Sequence, residues 1–457
     1  MSLRETAFGL THEAKSQLLQ RLANRRGNQP RIPAAATADR PLRAPLGDPQ
    51  TREEIRRIRK AGQALEIENP FFRPHDGIAG AETEIEGRTL LNLVSYNYLG
   101  LNGDPRVSDA AKTAIDRYGT SVSASRIVSG ERPVHAALEA GLAALHGTED
   151  CVAMVSGHAT NVTTISHLVG ANDAVVHDAL SHNSIVQGAM LSGAQRLPFP
   201  HNDIEGLRRA LRTARAKAKR VLVAIEGHYS MDGDIPDLPA ILAAVRQHEA
   251  YLMVDEAHSI GVLGATGRGI AEHWGVDPSE VDIWMGTLSK TLSGCGGYIA
   301  GSRDVVDYLR CSAPGFVYSV GLSPPVAAAS LAALEIMRTE PWRIERLNAN
   351  GRLFLEMAQA AGLNTGDSIG AAIVPVILGS SIRAARVADL LFKRGVNVQP
   401  ILHPAVPERS ARLRFFLSSL HTPEQIRTAV AETARAIGEV ARMKVDLGEL
   451  ARVLGRG

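Results

Sequence analysis

The sequence predicts an α/β fold with a buried, mostly parallel sheet. Three observations carry that prediction. Short runs of strand length alternate with helical patterns over roughly residues 134–301. The runs are apolar throughout, as strands covered on both faces are. Several of them end in small or polar residues, and ligands gather at the carboxyl ends of strands in such sheets.

The elements follow in order. Residues 11–24 read as a short helix, with Thr11 placed to cap it and Leu18, Leu19 and Leu22 as a thin apolar stripe. Residues 27–50 are rich in Pro, Ala and Arg and read as a linker, and residues 51–60 as a charged helix. Residues 83–90 form a hairpin pattern, followed by an apolar strand over 91–94. Strands are then expected over 151–155, 174–177, 221–225, 251–254, 283–286 and 298–301, with helices over 134–145, 204–218 and 238–247. After Pro324-Pro325 an Ala/Leu-rich helix runs to about Arg338. The tail holds strands over 373–378 and 412–417 between helices over 384–394 and 423–440, an α+β module. The expected organisation is an N-terminal extension over 1–80, a large domain over 81–325 and a smaller one over 326–457.

Composition excludes several classes. Of 457 residues, 45% are hydrophobic and 21% charged, which is ordinary for a soluble globular chain and excludes global disorder. Net charge is +2, so there is no global nucleic-acid footprint. Residues 1–60 carry 13 Lys/Arg against 6 Asp/Glu, a local +7 that suits an acidic partner or a solvated tail. No apolar run reaches the roughly 18 residues of a membrane helix. No signal-peptide core opens the chain. Cys151, Cys295 and Cys311 are odd in number and widely spaced, which points to a reducing cytoplasm.

Five polar groups sit where strands end. Ser156-Gly157-His158-Ala159-Thr160-Asn161 opens a helix after the strand at 151–155, and small residues at such a turn leave backbone N–H groups for an anion. His177-Asp178-Ala179-Leu180-Ser181-His182 follows the next strand. The spacing of His177 and His182 matches no zinc signature, so no metal site is expected. Glu226-Gly227-His228-Tyr229-Ser230-Met231-Asp232-Gly233-Asp234 comes third. Asp255-Glu256-Ala257-His258-Ser259 comes fourth and imitates the acidic strand of an NTPase, but no Gly-rich lysine loop precedes it. Last is Gly286-Thr287-Leu288-Ser289-Lys290-Thr291. A lysine among hydroxyls suits a Schiff base or a phosphate grip.

In this order the groups resemble the α-oxoamine synthases, fold-type I pyridoxal-phosphate enzymes that join an amino acid to an acyl thioester. Asn97-Tyr98-Leu99-Gly100-Leu101, Gly264 to Gly269 and Ala411-Arg412-Leu413-Arg414 match as well, and the resemblance covers about residues 80–445. It implies a large domain with a mostly parallel seven-stranded sheet, a smaller C-terminal domain and a homodimer. It implies Lys290 as the Schiff-base lysine, Asp255 as the anion for the pyridine nitrogen, His182 on the ring face and His258 near the phenolic oxygen. Ser230 resembles a ring-positioning serine. Gly157, His158, Thr287 and Ser289 take the phosphate-loop positions, and Asn97 and Arg414 those of the carboxylate anchors. Two departures stand out. Val320-Gly321 replace a threonine that relatives offer to the partner subunit, and the loop at 402–407 has no arginine.

The resemblance implies a decarboxylative condensation that gives an α-amino ketone. The amino acid is glycine, alanine or serine, and the acyl donor rides on coenzyme A or an acyl-carrier protein. An aminotransferase of the same fold is the alternative enzyme, and a non-catalytic partner subunit the alternative without catalysis.

Overall fold

A computed structural model describes residues 46–443. The helix expected at residues 11–24 lies outside them. The chain divides into two units between Arg59 and Lys60. The helix Pro49–Ala64 starts within the first and ends within the second; it begins at Asp48, whose side chain accepts the Thr51 N–H at 2.7 Å.

In the second unit, β1 (Glu82–Ile85) and β2 (Arg88–Asn92) form the expected hairpin. Glu86 (φ 54°) and Gly87 (φ 70°) make the two-residue turn, a conformation that matches the twist of the flanking strands.

Seven strands build the central sheet: β3 (Asp150–Met154), β4 (Ala174–Asp178), β5 (Gln195–Phe199), β6 (Val221–Glu226), β7 (Tyr251–Asp255), β8 (Ile283–Thr287) and β9 (Gly297–Gly301). Their spatial order is β3-β9-β8-β7-β6-β4-β5. β9 is antiparallel to both neighbours and the other pairings are parallel. The mostly parallel seven-stranded α/β architecture is thus present. β4, β6 and β9 are buried along their whole length, which explains the apolar runs that precede the polar ends of β4 and β6.

β5 has no counterpart among the expected strands. It holds Gln195, Arg196 and Pro198, lies at the sheet edge, and leaves most of its residues partly exposed. Proline cannot donate to a ladder and is confined to such edges.

Further along, β10 (Ile373–Ile377), β12 (Gln399–Ile401) and β13 (Arg412–Phe416) form an antiparallel sheet with β13 in the middle. β11 (Val396–Asn397) pairs with β2 instead, far from it in sequence. The helix Pro423–Arg442 starts at the expected residue, whereas the helix Pro324–Thr339 takes both prolines into its first turn instead of following them. No helix among the described residues is long and apolar enough to cross a membrane.

Candidate active site

The five polar groups converge because parallel strands deliver their carboxyl ends to one edge. Glu226 and Asp255 are direct partners across β6 and β7, and Asp255 is the partner of Met285 on β8. Lys290 follows β8, and its ammonium lies 5.7 Å from the centre of the Tyr96 ring.

Asp255 is buried. One carboxylate oxygen accepts from Asn161 Nδ2 at 2.8 Å and the other from the Ala257 N–H at 2.9 Å. Glu226 is also buried and accepts the His182 backbone N–H at 2.5 Å. Burial first, then the charge of Asp255, raises the Glu226 carboxyl above the usual range. Burial, with a smaller push from Arg414, lowers the Lys290 ammonium to about 8, against the pull of Asp255 and Glu226. The lysine is thus readily deprotonated, as a lysine that must act as a base needs to be.

This shift has a thermodynamic consequence. Between pH about 8 and 10.5 the unfolded chain holds a proton on this lysine that the folded chain has released. The Lys290 contribution to stability of the cofactor-free protein therefore rises with pH across that window. Denaturation at stepped pH, compared with Lys290→Met, is expected to lose this upward slope in the variant. An identical slope in both would rule the shift out.

The rest of the pocket is placed as follows. His182 caps the helix Asn183–Ser192, with Nδ1 2.7 Å from Ser184 Oγ. His158 meets it edge-on, ring centroids 6.2 Å apart. Desolvation lowers the His182 pKa against the charge of Asp255, and Lys290, His158 and Arg414 add to the fall. His258 is buried; its Nδ1 lies 2.7 Å from the Tyr98 hydroxyl, and its ring runs parallel to Phe416 at 6.4 Å. Burial and the nearby Lys290 push this imidazole well below its ordinary value, so it is neutral at pH 7.

Gly157 opens the helix Gly157–Leu168, capped by Ser156 Oγ. A Cβ at Gly157 would come within 2.7 Å of Thr287 Oγ1. Glycine is what lets the helix start approach the hydroxyls of Thr287 and Ser289, themselves 3.1 Å apart. Free N–H groups at a helix start beside two hydroxyls form an anion cradle.

Arg414 on β13 reaches the same edge. Its Nη1 donates to Ser230 O at 3.0 Å, and its buried Nε has no hydrogen-bond partner. Burial lowers its pKa, partly offset by Tyr96 and Tyr98. Ser230 enters through that carbonyl. Asn97 is placed differently from the other ten predicted residues. Its Nδ2 donates to Ala79 O (2.9 Å) and Asn102 O (3.1 Å), and its Oδ1 accepts the Asn102 N–H (3.0 Å). The amide is occupied in holding its own loop. The neighbouring Tyr96 lies against Lys290 and Arg414 instead. Sequence reasoning missed Tyr96 and Glu226, although both stand inside or beside quoted motifs. His177 turns away from His182, with Nδ1 bonded to Asp178 O at 2.7 Å.

The sequence pattern of the family "Aminotransferase class I and II" matches residues 88–432. The chain belongs to the aminotransferase class I and II family. Within this family it is similar to curated relatives named 8-amino-7-oxononanoate synthase. That of Geobacter sulfurreducens is 41% identical over 84% of this chain and 96% of its own length. That of Geobacter metallireducens is 44% identical over 79% and 92%. Among solved structures, Sphingomonas wittichii serine palmitoyltransferase superposes with a TM-score of 0.82 at 31% identity, over 87% of this chain and 100% of its own. These relatives place the chain with the α-oxoamine synthases of this aminotransferase family. The 8-amino-7-oxononanoate synthase of Francisella tularensis, at 24% identity and a TM-score of 0.67, shares the fold over 77% of this chain and 98% of its own.

Proposed function

We propose that this chain is a pyridoxal-phosphate-dependent acyltransferase. It joins a small amino acid to an acyl thioester, with release of the thiol and carbon dioxide, and gives an α-amino ketone. The observation that carries the reading is the desolvated Lys290 facing the buried Asp255 beside an anion cradle at the Gly157 helix start. These residues fit the cofactor: an amine for its aldehyde, a buried carboxylate for its ring nitrogen, and N–H and hydroxyl donors for its phosphate. Bound there, the cofactor supplies a protonated ring that takes up the electron pair left on Cα when a bond to it breaks.

The chain's own groups do the rest. Gly157, His158, Thr287 and Ser289 hold the phosphate. Asp255, which accepts from Asn161 and the Ala257 N–H, would face the ring nitrogen and keep it protonated. His182 would cover the ring face, and the neutral His258 would serve the phenolic oxygen. Ser230 frames the ring from the loop that also carries the Arg414 contact. Lys290 Nζ removes the Cα proton of the amino acid. Arg414 binds its carboxylate, since its orphan Nε is a free donor and a charge-assisted pair is strong and directional. Tyr96 lines that anchor, and Asn97 shapes the loop beneath it.

A homodimer is part of this reading. Tyr318 and Val128 are 86% and 80% exposed, and Ile127 and Val320 are also exposed apolar residues, which suits burial against a second copy. The free cysteines suit the cytoplasm.

The test uses the purified protein with pyridoxal phosphate. Borohydride reduction and peptide mass spectrometry are expected to find a pyridoxyl group on Lys290. Glycine, alanine and serine are then each paired with acyl-CoA and with acyl-carrier protein. Thiol and carbon dioxide should appear together with one amino acid. A keto acid formed without thioester consumption would show an aminotransferase and overturn the reading.

A further inference from the structure

A second polar cluster lies beside the site and has no assigned role. His201 follows β5. Its Nδ1 is 2.9 Å from Asp178 Oδ1 and its Nε2 is 2.9 Å from Asp234 Oδ2. Both ring nitrogens face carboxylates, so both carry protons. Burial alone would lower this imidazole, but the hydrogen bonds and charges of Asp178 and Asp234 outweigh it and raise it to about 10. Asn202 repeats the bridge: its N–H donates to Asp178 Oδ2 at 2.9 Å and its Nδ2 to Asp234 Oδ2 at 2.7 Å. The end of β4 is thereby stitched to the loop at 229–234.

That loop closes on itself and carries Arg414. Tyr229 N–H donates to Asp234 O at 3.0 Å and Gly233 N–H to Tyr229 O at 2.9 Å. The Tyr229 ring meets His201 edge-on at 4.5 Å. On its other side the loop accepts from β13. Arg414 Nη1 contacts Ser230 O (3.0 Å) and Met231 Sδ (3.3 Å), and Arg412 Nη1 contacts Met231 O (3.0 Å) and Asp232 Oδ1 (2.5 Å). The loop is therefore a template held from one side by His201 and read on the other by Arg414.

We infer that His201 is a positioning residue for substrate binding: by bridging Asp178 and Asp234 it fixes the loop at 229–234, whose Ser230 carbonyl aims the Arg414 guanidinium at the amino-acid carboxylate. This rests on Arg414 being the carboxylate anchor. A glutamine at 201 is neutral and carries both its donors on one nitrogen, whereas the imidazolium places one on each side of the ring, so the charged bridge between the two carboxylates is lost.

The test compares His201→Gln, Asp234→Asn and Arg414→Lys as holoenzymes. His201→Gln is expected to raise the KM for the amino acid about tenfold, the ratio given by about 1.4 kcal/mol of lost binding. The KM for the acyl thioester and kcat should stay within about twofold of wild type, a difference worth under half that energy. Amide hydrogen exchange of the cofactor-free variant should speed up across residues 229–234 and not along β7. Asp234→Asn keeps a partner for the ring but loses its charge, so a smaller rise in the same direction is expected, and it serves if His201→Gln does not fold. A raised amino-acid KM in Arg414→Lys, with neither His201→Gln nor Asp234→Asn changing KM or loop exchange, overturns this inference and leaves the anchor standing. An unchanged KM in Arg414→Lys removes the anchor and the inference with it. An equal loss in kcat and both KM values would make His201 a general stability residue and also overturn the proposal.

Discussion

Lys290→Ala is expected to cut turnover by at least about 10³-fold, because a positioned base alone contributes about 10²–10⁴-fold. Two roles are lost at once. Nζ no longer holds the cofactor aldehyde, and the other candidate bases among the described residues are engaged or weakened. His258 is bonded to Tyr98. Glu226 is committed to the His182 N–H. Of the other imidazoles at the pocket, His158 sits in the first turn of the Gly157 helix, and burial depresses the basicity of His182. Thioester consumption in the variant, matched to wild type by circular dichroism, is the measurement. Near-wild-type rates would sink the assignment of Lys290. The borohydride label should vanish in the same variant, which separates a lost cofactor bond from a damaged fold.

Asp255→Asn is expected to lose about as much. A unit charge about 4 Å away is worth about 4 kcal/mol at an effective dielectric constant of about 20, which is close to 10³-fold in rate. The variant keeps the size of the side chain and one acceptor for Asn161 or Ala257. What disappears is the anion, and with it the group that keeps the cofactor ring protonated. A second readout needs no cofactor. Asp255 holds the Lys290 pKa up against burial, so the variant should bring it below about 8. Acetylation of Lys290 as a function of pH, followed by mass spectrometry, reports that value. Full activity with an unshifted lysine would exclude Asp255 from the charge balance of the site.

Much of the site was legible because its signals are local. A strand buried on both faces must be apolar along its length and turn polar where it leaves the sheet. The polar ends of β3, β4, β6, β7 and β8 are therefore visible one at a time, and their order points to Lys290, Asp255, His182 and His258 before any coordinates. The edge strand β5 escaped because half-covered strands tolerate Arg196 and Pro198. Asn97 and Tyr96 could not be told apart by sequence, since both are polar neighbours in one loop. Only the tertiary structure brings the carbonyls of Ala79 and Asn102 to the Asn97 amide.

The sequence by itself determined the α/β class, the hairpin, and most strands and helices. These depend on periodicity, capping and burial, which act over a few residues. Only the tertiary structure decided that β9 lies between β3 and β8, that β11 joins β2, and that Glu226 faces Asp255 across two strands. It also decided that the loop at 229–234 stands between His201 and Arg414. Those arrangements rest on hydrogen bonds and charge contacts between distant segments. Their energies depend on which groups share a buried space, a property that no short stretch of sequence contains.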